Sequence, residues 1–250
     1  MIERMVTIPK GWFLQGCIPE DVLQQGVHDE LADARPQRRV YLSAYQIDKY
    51  PVTNADYFAY LQELRSREMD LTVALPGGWN QDPLSYGDGS GEWPVVGVTW
   101  YQARSYALHY DKMLPTEAQW ERAARWTDGR KFPWGNTFDR ECGNFERDKE
   151  EGRCMIASVF KHLRGQSPDG CVDMLGNADE WVRDCYVPNA YLVSPECDPF
   201  LDCTAAKEDC ARVIRGCSYG WPYPHVCKRF YERANDAWAT VGFRCLREAG

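Results

Sequence analysis

The chain has 250 residues, with 37 acidic side chains against 29 basic ones for a net charge of −8, and 11 cysteines. At 44% hydrophobic and 26% charged it is neither disordered nor collagen-like, and it is long enough to fold on a core without staples. An acidic balance with no basic stripe argues against a sequence-independent grip on nucleic acid, and no apolar run approaches the roughly 18–20 residues that cross a bilayer.

The opening Met1-Ile2-Glu3-Arg4-Met5 lacks the apolar run of a secretory leader. Ten cysteines between 142 and 245 would nevertheless suit an exported, oxidised protein, so composition leaves the localisation open. Val40–Ile47 reads as the first clear strand. Thr53-Asn54-Ala55-Asp56 then opens a helix that carries Tyr57, Phe58, Leu61 and Leu64 on one face and ends near Ser66. Val95–Val98 reads as a second strand. Thr99 with Gln102, and Thr116 with Gln119, have the spacing of a capping box and predict helices over about 100–110 and 117–126; Pro115 precedes the second cap. Arg212–Arg215 and Val241–Cys245 are the remaining strands.

Between these elements the chain is punctuated by turns, as at Pro76-Gly77-Gly78, Gly87-Asp88-Gly89-Ser90-Gly91 and Ser167-Pro168-Asp169-Gly170. There is no fixed-period repeat and no linker. The reading is a single α+β domain over residues 1–250, rich in ordered loop.

Seven blocks in one order carry a family resemblance. They are Met5-Val6-Thr7-Ile8-Pro9-Lys10-Gly11-Trp12-Phe13-Leu14-Gln15-Gly16; Tyr45-Gln46-Ile47-Asp48-Lys49-Tyr50-Pro51-Val52-Thr53-Asn54; Trp93-Pro94-Val95-Val96-Gly97-Val98-Thr99-Trp100; Leu114-Pro115-Thr116-Glu117-Ala118-Gln119-Trp120-Glu121; Phe132-Pro133-Trp134-Gly135-Asn136; Leu175-Gly176-Asn177-Ala178-Asp179-Glu180-Trp181; and Val241-Gly242-Phe243-Arg244-Cys245. Together they resemble the formylglycine-generating enzyme, or sulfatase-modifying factor, family from about residue 5 to 246. The resemblance implies a loop-rich fold derived from the C-type lectin architecture. One scaffold hosts many chemistries, so the site must be argued separately.

The family's best-known activity oxidises a cysteine within a Cys-x-Pro-x-Arg peptide to formylglycine, using O₂ and a copper(I) ion held by a Cys-x4-Cys pair. Soft thiolates suit Cu(I). No Cys-x4-Cys pair exists in this chain, and Trp221 stands where the first copper cysteine is expected. Cys217 replaces a glycine of the preceding element, and Cys227 lies one residue out of register with the second ligand. Two readings stay open. Cys217 and Cys227 could form a displaced copper site, with Ser218 lining the oxygen pocket, or Cys227 could pair with Cys245 as a structural disulfide.

The resemblance also implies calcium. Its ligands would be the Asp173 side chain, the Gly176 and Ala178 carbonyls and the Glu180 side chain, the hard oxygen donors that Ca²⁺ takes. A second, weaker calcium element would begin with the Asn144 side chain and the Phe145 carbonyl. The plainer readings are a charged helix N-terminus and a polar surface loop.

Cys197, Cys203 and Cys210 fall where the family has a plain loop. Their Cys-x5-Cys-x6-Cys spacing, with no Cys-x2-Cys element and no nearby histidine, argues against zinc. It favours a disulfide-stapled insertion over about 185–211 that includes Cys185, within a total of three to five disulfides. Trp221, His225, Arg229 and Arg233 are candidates to line a groove for a peptide or protein. The functional reading is a divergent maturation or peptide-binding factor without the usual copper pair. The alternatives are an active copper-dependent cysteine oxidase, or a lectin-fold display module with a variable loop over 218–238.

Overall fold

Both ends of the chain are tied to the same strand. The computed structural model describes residues 4–23, 30–145, 156–203, 210–219 and 224–249. Its strands are Met5–Ile8 (β1), Gly11–Gln15 (β2), Arg38–Leu42 (β3), Tyr45–Asp48 (β4), Asn80–Gln81 (β5), Leu84–Ser85 (β6), Asp179–Cys185 (β7), Ala211–Arg215 (β8), Phe230–Arg233 (β9), Val241–Phe243 (β10) and Leu246–Glu248 (β11). The helices are Pro19–Leu23 (α1), Asn54–Ser66 (α2), Trp100–His109 (α3), Glu117–Arg125 (α4) and Ala190–Val193 (α5). β1 and β11 flank β4, and a four-stranded sheet runs in the order β10-β7-β8-β9. β2 pairs with β3 and β5 with β6.

The three predicted helices form where their caps place them. Thr53, Thr99 and Thr116 each accept a hydrogen bond from the third residue of the helix, and Asp56, Gln102 and Gln119 reciprocate to the cap backbone. Each box satisfies N–H groups that a helix start otherwise leaves unpaired.

Two strand expectations need correction. Val40–Ile47 is two strands, because Leu42 and Tyr45 are both buried and three residues apart, which breaks the period of two. The chain leaves β3 at Ser43, held by its backbone N–H and hydroxyl on the Asp198 carboxylate at 2.7 and 2.8 Å, and enters β4 in another sheet. Val95–Val98 is not a strand. Its backbone bonds go to loops, Val95 N to Val52 O at 2.9 Å and Gly97 N to Trp238 O at 3.0 Å.

Strands β10, β7 and β8 are buried on both faces, while β9 at the edge is half exposed. Val182 and Val213 look into a core with Phe13, Val40 and Trp120. Their neighbours Trp181 and Ile214 look the other way, into a core with Tyr57, Tyr106 and Phe243, as the strand alternation requires. Tyr57 and Tyr106 stack at 5.5 Å between α2 and α3.

This division also corrects the cysteine expectations. Cys227 lies in the first core and Cys245 in the second, both as free thiols, so the sheet separates the pair. Among the described residues one disulfide forms, Cys185–Cys203, rather than three to five; Cys154 lies outside them.

Candidate functional site

The site begins where β8 ends. Gly216 has φ of 123°, and a Cβ there would meet the Ala178 carbonyl at 3.1 Å. Cys217 follows with φ of 51°, a left-handed conformation that costs a side-chain-bearing residue about 1–3 kcal/mol. The turn delivers Ser218 to β7, where its backbone N–H donates to Asp179 Oδ1 at 2.9 Å. Burial raises the Asp179 carboxyl to about 6, against the pull of its Ser218 hydrogen bonds.

The two candidate copper cysteines have different surroundings. The Cys217 thiol packs with Phe132 and Leu175 and donates to the His225 carbonyl at 3.6 Å; burial pushes it up to about 12. The Cys227 thiol donates to the Gly16 carbonyl at 3.2 Å and accepts from Arg125. Burial raises it well above the ordinary thiol range despite that guanidinium. His225 is buried, not a groove residue: its Nδ1 accepts from Cys227 N at 3.1 Å, and its Nε2 makes no hydrogen bond. Burial, then Arg125, holds it down to about 4, a neutral imidazole.

Arg229 is also buried rather than groove-lining, at 4% exposed. It belongs to a charge cluster organised by α4, a helix buried along almost its whole length. Arg229 and Arg215 both reach Glu117, and Arg215 and Arg125 both reach Glu121. The Tyr191 hydroxyl lies between the two carboxylates, 3.2 Å from Glu117 and 3.0 Å from Glu121, with its one proton shared between them. Burial pushes Glu117 and Glu121 up, but the arginines outweigh it and both end below the usual carboxylate value. Buried charges survive only when paired this fully. The sequence signal was present in Glu117, Glu121 and Arg125, four residues apart on one helical stripe, but such a stripe ordinarily reads as a solvated face. Of the other groove candidates, Arg233 is exposed at the end of β9 and Trp221 lies outside the described residues.

The calcium element turns at Asp173, Gly176 and Asn177, all at positive φ. Asp173 Oδ2 accepts from Asn177 Nδ2 at 2.9 Å, while its buried Oδ1 makes no hydrogen bond. An unsatisfied carboxylate oxygen on a loop that also supplies backbone carbonyls is a donor set that fits a hard cation. Glu180 is held by Arg244, Nε to Oε2 and Nη2 to Oε1 at 2.7 Å each, with Trp120 Nε1 on Oε2 at 2.8 Å. Oε1 thus takes one bond and keeps a lone pair. At the second element, Asn144 Nδ2 donates to Asn177 Oδ1 at 3.1 Å and the Phe145 ring packs on Phe138 at 5.4 Å; residues 146–153 lie outside the described residues.

Comparisons with known proteins agree with this frame. A formylglycine-generating enzyme of Streptomyces coelicolor is 30% identical, covering 98% of this chain and 89% of that protein. The inactive C-alpha-formylglycine-generating enzyme 2 of Bos taurus is 29% identical, covering 99% and 89%. Bacillus subtilis YfmG, an uncharacterised protein, is 30% identical over 72% of the chain, which spans 42% of YfmG's length. Among solved structures, PvdO from Pseudomonas aeruginosa superposes with a TM-score of 0.77 at 23% identity, covering 98% of this chain and 94% of PvdO. The matched family, described as the sulfatase-modifying factor enzyme 1-like domain, extends over residues 1–249, and the chain belongs to it.

Proposed function

We propose that this domain keeps the family's scaffold without its copper–thiolate chemistry, and serves as a maturation or binding factor for a peptide or protein. The observation that carries the reading is the state of the two nearest thiols. Cys217 and Cys227 are both fully buried, each donates to a main-chain carbonyl, and each is held protonated by burial. A Cu(I) pair needs two thiolates facing one open space. Here the metal would have to displace both carbonyl bonds and the Arg125 contact. Similarity alone does not decide the matter, since an active and an inactive relative are matched almost equally.

The peptide would meet the surface that β9 and the following loop leave exposed, where Tyr231 and Trp238 stand at 52% and 49% exposure with Arg233 between them in sequence. Calcium has a structural part in this reading: Asp173, the Gly176 and Ala178 carbonyls and Glu180 would hold it, and its charge would satisfy Asp173 Oδ1.

The test is a Cu(I) titration of reduced protein against a chromogenic chelator, paired with oxygen uptake on a Cys-x-Pro-x-Arg peptide. Neither stoichiometric copper nor peptide-dependent uptake is expected. One Cu(I) per chain, abolished by Cys217→Ser or Cys227→Ser and accompanied by oxygen uptake, would establish the displaced oxidase instead.

A further inference from the structure

A second concave site lies away from the C-terminal turn, in a cavity of about 220 Å³ between α3 and the end of β7. Three guanidinium groups line it, from Arg104, Arg183 and Arg212, against a single carboxylate among the described residues, Asp202. The imbalance is local: the chain as a whole carries a net charge of −8.

Arg212 is the best defined of the three. It is 7% exposed, its guanidinium lies 3.9 Å from the Trp100 ring centroid, and its Nη1 donates to the Arg183 carbonyl at 2.8 Å. The Asp202 carboxylate stays 3.6 Å from Nη1 and its side chain is 63% exposed, so this pair is loose. Arg212 Nε is buried and makes no hydrogen bond. That buried edge faces protein, so the part of Arg212 that a ligand in the cavity would meet is the Nη end, which Trp100 holds in place.

Arg183 is placed by packing rather than by charge. Its guanidinium lies 4.2 Å from the Phe200 ring centroid, and its nearest polar partner is the Met113 sulfur at 3.8 Å. Arg104, on the exposed side of α3, approaches the Trp100 ring at 6.0 Å. Neither Arg183 nor Arg104 has a carboxylate partner among the described residues. Two aromatic faces thus hold guanidinium groups in place before any ligand arrives, which lowers the ordering cost of binding.

We infer that this cavity binds a small oxyanion, a carboxylate or phosphate group on a compact organic ligand, with Arg183 and Arg212 as its principal contacts. Guanidinium forks match the paired oxygens of both groups, where a lysine would offer only a point charge. Leu108 and Met113 line the same cavity and supply an apolar wall for the carbon part of the ligand. The site shares no residue with the copper or calcium elements.

The test uses inorganic phosphate and acetate as probes, titrated against chloride at matched ionic strength, with melting temperature and tryptophan fluorescence as readouts. A saturable response to phosphate, to acetate or to both is expected, and the stronger probe identifies the head group. Arg183→Gln should weaken the apparent affinity at least tenfold and Arg104→Gln several-fold; neither side chain has an ion pair among the described residues, so these variants are expected to fold. Arg212→Gln should abolish the response. A response no larger than that of chloride, or an Arg183→Gln variant that titrates like the parent, would overturn the site.

Discussion

Arg229 closes a bidentate ion pair on Glu117 across 112 positions of chain, Nε to Oε1 at 2.7 Å and Nη2 to Oε2 at 3.0 Å. Both groups are buried, and Arg215 shares the same carboxylate at 2.6 Å. Removing the carboxylate leaves Arg229 without its bidentate partner and Arg215 with Glu121 alone. Glu117→Gln is therefore expected to cost about 3–5 kcal/mol, measured by urea denaturation. A loss under about 1 kcal/mol would mean that the pair does not hold the C-terminal segment to α4.

The pH profile should have two arms with different owners. Glu117 and Glu121 sit below their ordinary value of 4.5, so their stabilisation is present above that pH and lost as pH falls through their folded values. Asp184 behaves oppositely. Burial, then the nearby Glu117 charge, raises it to about 7, so the native state keeps a proton that the unfolded chain releases near pH 4. Its contribution declines as pH rises from about 4 to 7 and is flat above. Stability should decline from about pH 4 towards neutral, an arm that Asp184 shares with Asp179, which burial raises to about 6. Asp184→Asn should flatten its share by on the order of 2 kcal/mol. An unchanged slope between pH 5 and 7 in that variant would remove Asp184 as its owner.

Calcium should raise the melting temperature by binding only the native state. A chelator is expected to lower it in the parent protein. Asp173→Asn should keep most of the response, because asparagine retains an oxygen donor and tolerates the positive φ of 54°. Asp173→Ala should melt at one temperature with or without calcium. A parent protein indifferent to chelation would sink the calcium element.

The sulfurs of Cys185, Cys203 and Cys210 all lie within 4.8 Å of one another. Cys185 ends β7 and Cys210 precedes β8, and the Tyr186 N to Ala211 O bond at 2.9 Å keeps the two strands adjacent. A Cys210 thiolate attacking the Cys185 sulfur would form a Cys185–Cys210 bond and expel Cys203 as thiolate, with no external oxidant. In Cys203→Ser, refolded in a glutathione buffer, non-reducing peptide mapping should find Cys185 joined to Cys210. Recovery of both thiols as alkylated monomers would rule out their pairing.

The helices were legible in the sequence because a capping box is a local object, readable from four residues such as Thr99 to Gln102. Strands were legible only where the apolar period stayed intact. The interval from Leu42 to Tyr45 was a visible warning of the break between β3 and β4, whereas nothing local marks Val95–Val98 as a loop, since its β-branched side chains fill a core that its backbone does not ladder. The family resemblance pointed to the Cys217–Ser218 segment and to the Asp173–Glu180 element. It gave no view of Arg229 or His225, whose burial depends on α4, about a hundred positions away. The arginine cavity is harder still: positions 104, 183 and 212 come from three elements and share no spacing.

Met5 pairs with Asp48 and Glu248 with Tyr45, on opposite edges of one strand. The first and last strands therefore lie two strand spacings apart, about 10 Å. Both run antiparallel to the strand between them, so the chain enters at the Asp48 end and leaves at the Tyr45 end. With three residues of strand rise added, these points are about 14 Å apart, near enough for the domain to be spliced into a longer polypeptide like a cassette. The same geometry makes the order of the chain negotiable. A bridge of several residues, long enough to run back past the middle strand, with new ends opened at the exposed Gly77-Gly78 turn, should leave the fold standing.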